Sequence, residues 1–256
     1  MPPTPSAWTP GSWAWRSFSI NVRARHRHFT HKAAGAVVAY DARYLTESDG
    51  TALQTWTDRA GGYNATEATS TKRPLVKTGA NGINGQTALQ FDGTNDDLQA
   101  ASVPLNTFIT LVVCGRFTTA KPPFFEHSAD TTPSNGFYFY GTNGNSWEFC
   151  RGGSAHEGTG TSGWFGAANA IGSLRYDGSG RYRKDGGTNI GNGINIGTSR
   201  TNSSATDALN ICSRNRASGF GDGLLGTLAI YDGAASDAML KRLEHAAAFS
   251  FKIACN

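Results

Sequence analysis

Short runs of β-branched and aromatic residues, separated by turns rich in Gly, Asn and Ser, dominate the chain after residue 35. The strongest run, residues 107–117, predicts a strand at the centre of a sheet. Because helices and strands do not alternate regularly, the pattern predicts an all-β sandwich. Further strands are predicted at residues 36–40, 74–77, 88–91, 173–176, 181–184, 208–212 and 225–231, and residues 54–56 precede a predicted turn at 58–62.

A β-hairpin is predicted where residues 136–141 and 146–150 flank an Asn-Gly turn. Successive side chains in a strand point to opposite faces, so Phe137 and Phe139 share one face and Tyr138 and Tyr140 the other. We expect the phenylalanine face to join the core and the other face to meet water.

One helix is predicted near the C-terminal end. Ser236 is a suitable N-cap, and Asp237 follows it in the first turn, where a negative charge is favourable. Apolar side chains then recur at helical spacing, namely Met239, Leu240, Leu243, Ala247 and Phe251.

Composition excludes several classes of protein. Glycine accounts for 32 of the 256 residues and charged residues for only 16%, which is unlike helical bundles and coiled coils. The longest apolar runs, such as residues 109–113, are far shorter than a membrane span. The first residues also lack the basic and then apolar pattern of a secretory signal, so we expect no membrane insertion.

Positive charge is concentrated at the N-terminus. Residues 1–40 contain five basic and no acidic side chains, whereas the whole chain carries a net charge of +4. We therefore divide the chain into a basic arm, residues 1–35, and a domain, residues 36–256. The arm is expected to dock on other subunits through Trp13, Trp15, Arg16, Arg23, Arg25 and Arg27, with nucleic acid as the less favoured partner.

Several blocks of the domain resemble a known family. Residues 56–66, 73–74, 84–85 and 89–98 look like the first half of a concanavalin A-like, laminin-G-like jelly roll, and residues 223–232 and 240–244 look like its last core strand and closing helix. The resemblance covers residues 36–253. It implies a jelly-roll β-sandwich, but it does not define a function, because the family contains lectins, adhesion modules, glycan-processing enzymes and virion proteins.

No catalytic motif is complete. Glucanases of this fold use Glu-x-Asp-x-x-Glu on a strand, whereas Glu47-Ser48-Asp49 is followed by Ala52 and lies in a predicted loop. Residues 158–163 match a dinucleotide-binding glycine pattern but lack the strand and helix that it needs. From these observations we expect the chain not to be an enzyme.

The sequence predicts no cofactor, and the metal candidates are weak. Asp92, Asp96 and Asp97 carry ligand types suited to calcium, although Asp92 is better explained as a turn cap. His26, His28 and His31 belong to the basic arm, which contains no carboxylate to complete a metal site. The four cysteines are far apart, so we expect buried free thiols.

Aromatic and hydrogen-bonding residues around the predicted hairpin suit sugar recognition, which combines a stacking platform with polar groups. The candidates are Tyr138, Tyr140, Trp147, Arg151, His156 and Trp164. The competing interpretation is that Trp147 belongs to the core and that the tyrosines are ordinary strand surface.

Together, the basic arm and the lectin-like domain favour a non-catalytic virion accessory protein of the decoration, fibre or receptor-binding type. Such a protein would lie in the virion, bind self or virion subunits through the arm, and display a domain that binds cell-surface glycans. The alternatives are a free-standing carbohydrate-binding or adhesion module and, less favoured, a polysaccharide lyase or hydrolase.

Overall fold

The computed structural model describes residues 35–105, 109–118, 124–128, 136–141, 147–151, 168–176, 181–185, 194–195 and 207–253. Within these residues the chain forms fifteen strands and one α-helix. The elements are β1 (Ala36–Asp41), β2 (Thr55–Trp56), β3 (Ala65–Thr66), β4 (Leu75–Lys77), β5 (Ala88–Asp92), β6 (Leu98–Ala100), β7 (Ile109–Phe117), β8 (Phe124–Ser128), β9 (Gly136–Gly141), β10 (Trp147–Arg151), β11 (Ala170–Tyr176), β12 (Arg181–Asp185), β13 (Ile194–Asn195), β14 (Leu209–Ile211), β15 (Asp222–Asp232) and α1 (Asp237–Ser250).

The strands form two antiparallel sheets, so the predicted all-β sandwich is confirmed. The first sheet has the order β13-β12-β11-β7-β15-β5-β4, and β1 also pairs with β15. The second sheet has the order β10-β9-β8-β14-β6-β3-β2. Residues 1–34, which are all but the last residue of the N-terminal arm, lie outside the described residues.

The main core lies between the two sheets and is rich in aromatic side chains. Its largest fully buried members are Trp56, Tyr40, Phe91, Phe117, Phe125, Phe137 and Phe139. Burying a large apolar side chain contributes roughly 1.5–3 kcal/mol, so these rings account for much of the sandwich's stability. The predicted core face of the hairpin is confirmed, because both Phe137 and Phe139 are buried.

Strand β7 is central, as predicted, and is buried on both faces. Leu111 and Val113 face the core between the sheets, whereas Val112 and Cys114 belong to a second apolar cluster that includes α1. Burial on both faces explains why the sequence of this strand is a continuous apolar run. Arg116 is the one residue of β7 that is not fully buried.

Helix α1 covers part of the outer face of the first sheet. Ser236 caps it as predicted, because its Oγ accepts a hydrogen bond from the backbone N–H of Met239 at 3.3 Å. Polar contacts also hold the helix to β11: Arg175 pairs with Asp237 at 2.6 Å, and the Ser173 hydroxyl donates to Glu244.

A glycine lets the segment after α1 approach the sheet. The register of β15 against β7 shifts between Leu225 and Thr227, which leaves Gly226 at a bulge. A Cβ on Gly226 would lie 2.5 Å from Cε1 of Phe251, so the ring packs where only a glycine leaves room.

The short strands β3, β6 and β8 were missed by the sequence pattern, because polar residues interrupt their alternation. In β8, His127 faces the core, where its ring stacks on Phe137 and its Nε2 lies 2.8 Å from the carbonyl oxygen of Val103. The expected free thiols are confirmed for Cys114 and Cys212, which are buried and unpaired.

Candidate functional site

A cleft of about 690 Å³ opens on the outer face of the first sheet, beside the area that α1 covers. This volume is within the usual range for small-ligand sites, about 300–1,000 Å³. It is lined by Lys77, Asn81, Gln90, Arg116, Phe117, Thr118, Gly223 and Leu224.

The cleft is built on directly paired strand residues. Leu224 lies opposite Arg116 of β7 on one side and Gln90 of β5 on the other. Paired residues of antiparallel strands share a face, so a buried leucine is flanked by a guanidinium and a carboxamide. Since these strands lie in the interior of the sheet, their backbones hold the three side chains in fixed positions.

The floor of the cleft is apolar and closely packed. Leu224, whose side chain lies on the outer face, is only 6% exposed. A Cβ on Gly223 would lie 2.2 Å from the carbonyl oxygen of Arg116 and 2.5 Å from Cα of Phe117. A side chain is therefore excluded at residue 223, and β7 and β15 approach closely at this point.

Residues 78–87 form the wall that contributes Asn81. Residues 79–81 make a 3-10 turn, and the backbones of Ile83 and Gln86 exchange two hydrogen bonds of 2.9 and 2.8 Å. Asn84 has a positive φ of 48°, and its Nδ2 donates to the carbonyl oxygen of Phe251 at 3.0 Å. The wall is thus fixed to the C-terminal segment.

Asp49 positions the other end of this wall. Its oxygens accept hydrogen bonds from the Thr78 backbone N–H at 2.7 Å and from Asn81 Nδ2 at 3.0 Å. The Thr78 and Asn81 hydrogen bonds and the charge of Lys77 lower the pKa of Asp49 below its usual value. Glu47 and Asp49 lie in a loop, as the sequence predicts, so Asp49 acts here as an anchor for a cleft residue.

The sequence interpretation missed the cleft, although a weak signal for it exists. Arg116 and Gln90 are the polar residues in otherwise apolar strand segments, Cys-Gly-Arg-Phe and Leu-Gln-Phe. A polar residue at an outward position of a buried strand marks the place where the covering layer ends. Only the structure shows that α1 stops short of these two side chains.

The outer face of the second sheet carries a buried polar row. Asn210 of β14 lies opposite both Glu126 and Gln99, and Gln99 Nε2 donates to Asn210 Oδ1 at 2.8 Å. The loop of residues 212–221 contacts this row, because the backbone N–H of Asn215 donates to Glu126. Glu126 and Asn210 are fully buried, so this face presents no open cleft at the row.

Arg216 connects that loop to two further buried carboxylates. Its guanidinium pairs with Glu67 and, through Nε, with Asp97 at 3.1 Å. Cys212, Asn215 and Arg216 all have positive φ, a strained conformation for residues other than glycine. The ion pairs therefore hold a strained loop against the sheet.

The calcium candidates have other partners. Asp92 Oδ1 accepts backbone hydrogen bonds from Thr94 at 2.8 Å and Asn95 at 3.2 Å, as a turn cap does. Asp96 accepts from the Asp92 N–H at 3.1 Å, and Asp97 contacts Ser213 and Arg216. Among the described residues, no group of three or more His, Cys, Asp or Glu side chains could hold a metal ion.

The sugar-binding residues predicted from the sequence lie on or beyond the hairpin. Tyr138 and Tyr140 are in β9, and Trp147 and Arg151 are in the paired strand β10 at the edge of the second sheet. His156 and Trp164 lie outside the described residues. This group stays a prediction. The arm residues and residues 158–163 are also outside the described residues.

The described part of the chain contains no helix long and apolar enough to cross a membrane.

Comparisons with known proteins show the fold. The sequence matches no protein-family model and no curated protein. The structure matches an arabinofuranosidase complexed with arabinofuranosyl-alpha-1,2-xylobiose (TM-score 0.59, 11% identity, 88% of this chain and 65% of that chain). It also matches Trypanosoma rangeli sialidase with a TM-score of 0.51 and 14% identity, covering 84% of this chain and 33% of that chain. A mutant of HCR/D matches with a TM-score of 0.53 and 10% identity, covering 84% of this chain and 52% of that chain. The chain thus spans from a third to just under two thirds of these proteins.

These matches correct two expectations from the sequence. The sialidase and the arabinofuranosidase are carbohydrate-active enzymes, so the expectation of a non-catalytic virion accessory protein is wrong. The same two matches contradict the expectation that the chain is not an enzyme. Both expectations rested on the charge of the arm and on an incomplete glucanase motif. The arm is separate from the sandwich, and the motif residues lie in a loop, so neither feature indicates what the strands of the sandwich bind.

Proposed function

We propose that residues 36–256 form a concanavalin A-like jelly-roll domain that binds a glycan as part of a carbohydrate-active enzyme. The observation that carries this proposal is the cleft on the first sheet, which combines an apolar floor with hydrogen-bonding side chains. The fold likeness to a sialidase and an arabinofuranosidase supports the carbohydrate class.

The chemistry of the cleft suits a sugar. A pyranose ring presents apolar C–H faces and a rim of hydroxyl groups, so it needs an apolar contact surface with donors and acceptors around it. Leu224 supplies the apolar contact, while Gln90 and Asn81 each offer both a donor and an acceptor. Thr118 adds a hydroxyl to the lining.

The cleft is also rigid enough for such a site. Its floor residues belong to two central strands, and its wall is fixed by Asp49 at one end and by Asn84 at the other. A site formed before the ligand arrives loses less conformational entropy on binding. Because no carboxylate lines the cleft among the described residues, we assign it to holding the glycan.

The test is to titrate the protein with a panel of oligosaccharides by isothermal titration calorimetry. Gln90→Ala is expected to weaken binding about tenfold, because it removes hydrogen bonds to the ligand and leaves the backbone of β5 unchanged. Gln54→Ala is the matched control, since Gln54 is exposed and remote from the cleft. Equal affinities for the Gln90 and Gln54 variants would overturn the assignment.

A further inference from the structure

We propose that the cleft selects acidic saccharides, those that carry a carboxylate or a sulfate group, through Lys77 and Arg116. This inference rests on the proposed function and adds a ligand class to it. It follows from the charges that line the cleft and from their positions on the sheet.

The side chains that line the cleft carry two positive charges and no negative charge. Arg116 is half-buried, and its guanidinium has no hydrogen-bond or ion-pair partner among the described residues. Five N–H donors in a planar fork are thus available at the edge of an apolar floor. An arginine in this position matches the geometry of a carboxylate or sulfate.

Lys77 is the second cation, and its nearby carboxylate is already engaged. Asp49 interacts with the charge of Lys77, but both carboxylate oxygens of Asp49 accept hydrogen bonds from the cleft wall. The role of Asp49 is therefore to position Asn81, and Asp49 does not line the cleft. Lys77 is half-buried and lines the cleft.

The two cations flank the cleft. Arg116 belongs to β7 and Lys77 to β4, and these strands are separated by β15 and β5. Three strand spacings separate β7 from β4 by about 14 Å, and Lys77 pairs with Ala88, two residues along β5 from Gln90. A sugar that lies obliquely across the strands would contact Leu224 and Gln90 in the middle, and it would bring an acidic substituent toward either cation.

Nucleic acid is the other polyanion that two cations could attract. Outside the first 40 residues, however, the chain has 18 basic and 19 acidic side chains, so the domain lacks the broad basic surface that binds phosphate backbones. A single-stranded oligonucleotide is accordingly included in the test as a competitor class.

The experiment compares matched ligands on the full chain at about 0.15 M ionic strength, where distant charges are screened. The ligands are 3′-sialyllactose, 3′-sulfolactose and lactose, then tetragalacturonate and its methyl ester, and finally a ten-residue thymidine oligonucleotide. The variant is Lys77→Gln with Arg116→Gln. Its matched control is Lys241→Gln with Arg242→Gln, which removes the same charge from exposed positions of α1.

We expect at least one acidic ligand to bind about tenfold or more tightly than its neutral counterpart, since hydrogen bonds to charged groups are stronger than those to neutral groups. This advantage should disappear in the Lys77/Arg116 variant and persist in the control. Equal affinity for acidic and neutral ligands would overturn the inference. A preference for acidic ligands that the two substitutions leave unchanged would also overturn it, and so would tighter binding of the oligonucleotide than of every saccharide.

The two proposals fail in distinguishable ways. The cleft binds glycans without charge selection if Gln90→Ala lowers the affinity for neutral sugars while acidic ligands bind no more tightly than their neutral counterparts. If none of the saccharides binds, the proposed function fails together with the inference. Thermal unfolding of each variant shows whether a loss of binding reflects a loss of fold.

Discussion

The side-chain amide of Asn84 donates a hydrogen bond to the backbone carbonyl of Phe251, 167 residues later in the chain. The same amide group also donates to the carbonyl of Lys252 at 3.1 Å, and Asn84 Oδ1 accepts from Asn169 at 2.8 Å. One exposed loop is thereby fixed to the segment that follows α1. The cleft wall and the C-terminal segment therefore form one structural unit.

We expect Asn84→Gly to weaken glycan binding without unfolding the protein. Glycine keeps the positive φ of this position but removes the amide that fixes the wall. The wall must then become ordered when the ligand binds, so affinity should fall about three- to tenfold. Isothermal titration calorimetry and thermal unfolding measure the two effects, and an unchanged affinity would show that the wall needs no anchor.

Gly226→Ala should destabilise the sandwich by about 1–3 kcal/mol. The added methyl would lie within 3.0 Å of several atoms of the Phe251 ring, which must move away from β15. Urea unfolding measures the loss of free energy. In the double variant with Phe251→Ala the methyl group has space, so the loss should be smaller than the sum of the two single losses; additive losses would contradict the steric explanation.

Asp58→Ala should be among the most damaging single substitutions outside the apolar core. The Asp58 carboxylate accepts backbone hydrogen bonds from four residues at 2.7–2.9 Å, namely Ala39, Ala60, Gly61 and Tyr63. Losing this acceptor leaves several donors unpaired, so the free energy of unfolding measured with urea should fall by about 2–4 kcal/mol. Asp49→Ala is the control, because Asp49 is exposed. An equally large decrease in the free energy of unfolding of the Asp49 variant would contradict the argument.

The fold was predictable where its causes are local. The alternation in β9, the apolar run of β7 and the Ser236 cap each depend on neighbouring residues, and each was predicted. The cleft was not predictable, because Gln90 and Arg116 become a site only where α1 fails to cover the sheet. That boundary is a tertiary feature, which neighbouring residues along the chain do not define.

The function expected from the sequence failed for a related reason. The charge of residues 1–35 dominated the interpretation, although charge distribution reports on partners and solubility more than on fold. The polar residues that shape the cleft contribute little to composition. Their significance lies in pairing across strands, such as Leu224 opposite both Arg116 and Gln90.

Stability should decrease as the pH rises from about 4 to about 7. Burial and the neighbouring charge of Asp92 raise the pKa of Asp96 to about 7, whereas an unfolded Asp titrates near 3.9. Between these values the folded state binds more protons than the unfolded state, so the free energy of unfolding falls with increasing pH.

The decrease is expected to be roughly 2–3 kcal/mol between pH 5 and pH 8. Asp96→Asn keeps an oxygen that can accept the Asp92 N–H and removes the titrating group, so its stability should vary less with pH. Urea unfolding at several pH values measures both proteins. The same slope in both would show that another group is responsible.

The most direct measurement is a saccharide titration followed by methyl NMR of leucine-labelled protein. Leu224 forms the floor of the cleft, whereas Leu243 lies on the buried face of α1 and Leu209 lies in the core between the sheets. Binding in the cleft predicts that the Leu224 methyl signals shift in a saturable manner while those of Leu243 and Leu209 stay nearly unchanged. Saturable binding that leaves the Leu224 signals in place would contradict the cleft as the glycan site.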